Sequence, residues 1–86
     1  MPKALTIQRS TVPTTERANY TKRLKALRSH YSAANCRFWV FEETGLPGAF
    51  LEFFEASDAA TLAKAHAGAP EQILDPNRVY QEVELK

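Results

Sequence analysis

The chain has 86 residues, 44% of them hydrophobic and 24% charged, with a formal net charge of +1. That is the size and composition of one ordinary globular domain, 1–86, and it excludes a low-hydrophobicity disordered segment. One cysteine excludes a disulfide framework and a cysteine-based zinc site. No apolar run approaches the ~20 residues needed to span a bilayer, so no membrane association is expected. The opening MPKALTIQRS has no signal-peptide core, and a cytoplasmic location is the expectation. A chain this short buries only about 60–65% of its unfolded surface, which makes association a natural route to stability.

The charge is uneven. Residues 1–37 carry eight Lys/Arg and one Glu, whereas residues 38–86 carry three Lys/Arg and nine Asp/Glu. Most of the basic residues (Arg17, Lys22, Arg23, Lys25, Arg28) fall on one predicted helix. They read as its solvated face, or as a surface complementary to acidic strand ends.

In chain order, residues 3–10 alternate, with Leu5 and Ile7 on one side and Thr6 and Gln8 on the other, the period of a half-buried strand. Pro13 stops it. Thr14 or Thr15 can cap a helix to about Ala33, with Tyr20, Leu24, Leu27 and Tyr31 on one face. Asn35 suits a left-handed helix end. The next stretch, CRFWVFEETGLPGAFLEFF (36–54), holds the only Trp and all five Phe. It predicts two strands, 36–43 and 49–55, joined by the hairpin loop Thr44 to Gly48. Ser57-Asp58 caps a second helix over 59–67, closed by Gly68 and Pro70. Residues 71–74 suggest one more helical turn, 75–77 a turn, and 78–85 a fourth alternating strand.

The order βαββαβ specifies an α+β, ferredoxin-like domain: a four-stranded antiparallel sheet with two helices on one face. Strand parity then divides the side chains. Leu5, Ile7, Cys36, Phe38, Val40, Leu51, Phe53, Val79, Val83 and Leu85 are almost wholly apolar and are expected against the helices, with Gln81 out of place among them. Thr6, Gln8, Arg37, Trp39, Phe41, Phe50, Glu52, Phe54, Tyr80, Glu82 and Glu84 are expected on the uncovered face. Aromatic residues mixed with charges mark a partner or ligand surface, and burial against a second copy solves the exposure.

The hairpin NCRFWVFEETGLPGAFLEFFEASD and the helix AATLAKAHAG resemble the dimeric α/β-barrel superfamily, and within it the antibiotic-biosynthesis-monooxygenase-like domains. The resemblance implies a homodimer in which two sheets pack face to face through the open face. It also implies a cavity for a small aromatic or polyketide-like molecule and cofactor-independent oxygenase or isomerase activity. Phe54 looks like the family's frequent third-strand Trp, and His66 like its second-helix His. The second His that often follows is absent here, and Gln8 is the nearest match to a first-strand Asn. The alternative is a non-catalytic dimeric binding or structural protein of the same fold.

Among individual residues, His66 is the candidate general base, since imidazole titrates near neutrality; otherwise it is a histidine at a helix end. His30 reads as solvated. Arg37 and Glu52 are expected to form a cross-strand ion pair, or to orient a ligand. Trp39, Phe54 and Tyr80 can stack on a planar substrate or pack the dimer. Cys36 reads as a small core residue. No metal and no cofactor are expected, because two His on separate helices make a poor metal site. An RNA-binding reading fails on the third strand: AFLEFFEA places Glu52 and Glu55 where phosphate would lie, so no nucleic-acid partner is expected. Pro2 superficially resembles the catalytic proline of tautomerases, but the aromatic hairpin does not fit that group.

Overall fold

β1 (Ala4–Thr11) alternates buried and accessible residues along its length, as an alternating sequence should. The computed structural model describes residues 2–85. After β1 the chain turns at Pro13 and enters α1 (Arg17–Ala33) through one 3-10 turn, Thr14–Glu16. The expected threonine cap does not form: Glu16 is the cap residue and makes no side-chain capping bond. At the other end Asn35 adopts φ 62°, the left-handed conformation Asn tolerates. β2 (Arg37–Glu42) and β3 (Ala49–Ala56) follow, then α2 (Ala59–Ala67) and β4 (Tyr80–Gln81).

The sheet is antiparallel throughout, in the order β2-β3-β1-β4, with two helices, which is the ferredoxin-like arrangement. In the hairpin, Glu43 N–H donates to Ala49 O at 2.9 Å, closing a loop of residues 44–48. Gly48 sits there at φ +92°, and a Cβ on it would lie 2.6 Å from the Val12 carbonyl oxygen. Only glycine fits both the dihedral and the space. Asp58 caps α2, its Oδ1 accepting from Thr61 N–H at 2.7 Å. α2 ends at Gly68 with φ −96°, so the helix closes without a left-handed glycine.

Two expected elements shrink. Residues 71–74 form no helical turn. β4 is two residues long instead of eight. Its partner limits it: β1 begins at Ala4, so Ala4 pairs with Gln81 and Leu5 with Tyr80, and just beyond them Glu82 N–H reaches Lys3 O at 2.8 Å.

The faces of β1 and β3 are the reverse of the expected ones. The closed loop sets Phe38 opposite Phe54 and Val40 opposite Glu52, so these four share a face. β1 follows, with Thr6 opposite Phe54 and Gln8 opposite Glu52. Thr6, Glu52 and Phe54 are buried beneath the helices, and the core gathers Ala4, Leu27, Tyr31, Cys36, Phe54, Ala56, Leu62, Ala65 and Ile73. Leu5, Ile7, Leu51 and Phe53 therefore share the opposite face with Trp39, Phe41 and Tyr80. β2 and the short β4 keep their expected orientation, with Tyr80 on the open face and Gln81 opposite the buried Ala4.

Candidate functional site

Two separate constellations result. The first lies between sheet and helices. Glu52, 2% exposed, accepts three hydrogen bonds: from Gln8 Nε2 at 3.0 Å, Ser10 Oγ at 2.8 Å and Tyr20 OH at 2.6 Å. Three donors compensate a carboxylate taken out of water. Gln8 extends the network, its Oε1 accepting from Leu74 N–H at 2.7 Å. Burial, and then the bond to Glu52, push the Tyr20 phenol well above its ordinary pKa, which fixes it as a donor.

A step away, His66 is also buried. Its Nδ1 is 2.7 Å from Tyr31 OH and its Nε2 3.1 Å from Thr6 Oγ1, while Phe54 meets its ring edge to face at 5.2 Å between centroids. Burial, reinforced by His30, lowers the His66 pKa, so the ring is held neutral near pH 7. Burial likewise pushes Tyr31 up to about 12. His30 is not solvated as expected: it is half-buried, and its Nε2 donates to the Ala65 carbonyl at 2.7 Å, tying α1 to α2. Cys36 is buried, as expected, with its thiol pKa raised by burial.

The second constellation is the uncovered side of the sheet. A groove of about 460 Å³ opens there, floored by Leu5, Trp39, Phe41, Phe53 and Tyr80. Lys3 and Glu55 form an ion pair at 3.5 Å on its rim, beside Gln81 and Glu82. Trp39 is 41% exposed, Phe41 53% and Tyr80 45%. Trp39 and Phe41 stack at 6.4 Å between ring centroids, and Phe53 meets Phe41 edge to face at 5.5 Å. The Arg37 guanidinium lies over the Trp39 ring at 5.7 Å.

The six candidate residues thus divide. Trp39, Tyr80 and Arg37 lie on the open face; Glu52, Phe54 and His66 lie under the helices. They do not converge on one cavity. The expected Arg37–Glu52 pair does not form, because Arg37 stands opposite Glu55 and Glu52 opposite Val40 on the other face. Leu5, Phe53, Lys3 and Glu55 complete the groove and were not expected there. Their signal lay in the five-residue hairpin loop, whose closing pair fixes the facing of both strands.

Among the described residues, no helix is long and apolar enough to cross a membrane. No family model matches the chain, and no curated protein matches it. The solved structure of Rv0793 from Mycobacterium tuberculosis matches with a TM-score of 0.60, over 100% of this chain and 97% of that one, at 18% identity. The likeness is one of fold, and it extends the ferredoxin-like assignment over the full chain.

Proposed function

We propose that the chain acts as a homodimer that buries its uncovered sheet face against a second copy and holds a small planar aromatic molecule between the two sheets. The observation that carries this reading is the aromatic groove. Leu5, Trp39, Phe41, Phe53 and Tyr80 form one contiguous floor, and a patch of that kind on a small domain marks an interaction surface. Its volume lies within the range of small-molecule sites, and its polar groups, Lys3 and Glu55, sit on one side where they can orient a ligand hydroxyl or carbonyl.

Binding without chemistry is favoured over oxygenase or isomerase activity. His66 was the expected base, and both of its ring nitrogens already have protein partners in the core. A base must reach the proton it removes.

Trp39 is the only tryptophan, so its fluorescence reports directly on the groove. Titration with 4-nitrophenol should give saturable quenching that Tyr80→Ala and Phe53→Ala weaken. Linear, non-saturating quenching, identical to that of free tryptophan, would overturn ligand binding at this face.

A further inference from the structure

A row of charged side chains crosses one end of the aromatic groove. Arg37 stands opposite Glu55 on β3, and Glu55 opposite Leu5 on β1. Lys3 precedes β1, and its carbonyl accepts the Glu82 N–H. Strand parity puts Arg37, Glu55, Lys3 and Glu82 together on the open side. Lys3, Glu55 and Glu82 line the groove itself. A second cavity of about 330 Å³ shares Lys3 and Glu55 with the groove and adds Asn35, Arg37 and Ser57. The two spaces meet at a polar junction beside Trp39, over whose ring the Arg37 guanidinium lies at 5.7 Å.

Resting on the ligand-groove reading above, we infer that the groove takes a planar aromatic carboxylate, its ring on the floor at Leu5 and Phe53 and its carboxylate held by Arg37. The charges along the row set the direction. Lys3 and Glu55 offset each other at 3.5 Å. What remains is Arg37 at the β2 end of the row and Glu82 at the β4 end, neither of which forms an ion pair among the described residues. A carboxylate is drawn to the first and repelled by the second, so the ligand lies one way round.

Arg37 also has the chemistry for this. A planar guanidinium stacks on an aromatic ring and still presents two parallel N–H groups to a carboxylate, which a lysine ammonium does not. Asn35 and Ser57 bring an amide and a hydroxyl to the same cavity, further donors for carboxylate oxygens. The other arginine of the open face, Arg9, stands farther along β1 opposite Leu51, in a separate cavity that it shares with Glu42 and Glu43. It lies away from the polar junction.

Calorimetric titration of the full chain with 2-naphthoate and with 2-naphthamide, its uncharged analogue, tests this. Naphthoate should bind about tenfold more tightly, the scale of one charge-assisted contact. Arg37→Gln should erase that difference, Arg37→Lys should keep part of it, and Arg9→Gln should leave it whole. Arg37 is exposed, so its substitution leaves the core intact. Equal affinities of the unaltered chain for the two ligands, or a preference that survives Arg37→Gln, would overturn the carboxylate site while the aromatic groove stands. If neither ligand gives saturable binding, the groove reading fails and the carboxylate site with it.

Discussion

The two faces of the sheet solve opposite problems. The helix side buries polar side chains, and each has partners: Glu52 has Gln8, Ser10 and Tyr20, and His66 has Tyr31 and Thr6. No buried side-chain nitrogen or oxygen among the described residues lacks a hydrogen bond. The open side does the reverse, leaving Ile7, Trp39, Phe41 and Tyr80 substantially in water. Hydrophobicity alone would assign these faces the other way round. The helix side is a finished core, specified by hydrogen bonds as much as by apolar area. The open side has the composition of a core that lacks its second half.

Substitutions can break this contrast. The largest loss of stability should come from Phe54→Ala, which removes a ring with 0% exposure from the centre of the core. Truncating a buried Phe costs about 3–5 kcal/mol, read as a lowered urea midpoint. Glu52→Ala should come next. It strands three donors, and a buried donor left unsatisfied costs about 1–3 kcal/mol, so a loss near ~3 kcal/mol is expected. Glu52→Gln, which keeps two acceptor lone pairs, should recover part of it. If Glu52→Ala unfolds at the wild-type urea concentration, the polar network does not specify the core.

Gly48→Ala tests the hairpin that sets both faces. A non-glycine residue at positive φ costs roughly 1–3 kcal/mol, and the Val12 carbonyl 2.6 Å from the new Cβ adds to it. Acid should act through His66. Its folded pKa lies below the unfolded value, so the unfolded chain binds the extra proton. Stability from this group is complete above the unfolded pKa, about 6.5, and is lost as pH falls below that value toward the lowered folded one. His66→Gln should flatten that part of the profile, as followed by thermal melts between pH 7.5 and 5. On the open side, Trp39→Ala should change monomer stability least while releasing monomers from the dimer.

Much of the fold was legible because its signals are local. The alternation in 3–10, the Tyr20–Leu24–Leu27–Tyr31 spacing, Asn35, and Asp58 ahead of α2 each mark an element or its end. The facing of β1 and β3 was harder to read. In AFLEFFEA, Leu51 and Phe53 look as core-like as Phe50 and Phe54, so composition does not decide. The deciding information is the loop of residues 44–48: closing Glu43 on Ala49 puts Phe38 with Phe54 and Val40 with Glu52. Glu52 looked exposed because a carboxylate in a core needs donors. Those donors sit 32–44 residues away in sequence, on α1 and β1. β4 was overestimated because its length depends on where β1 begins.

The central claim is that the open aromatic face is a self-association surface, and mass in solution over a dilution series, by sedimentation, tests it most directly. The account predicts a species of twice the 9.7 kDa chain that persists on dilution, and a shift toward the monomer for Trp39→Ala. A wild-type chain that sediments as a monomer at every concentration, or a Trp39→Ala chain that remains fully dimeric when dilute, would contradict it.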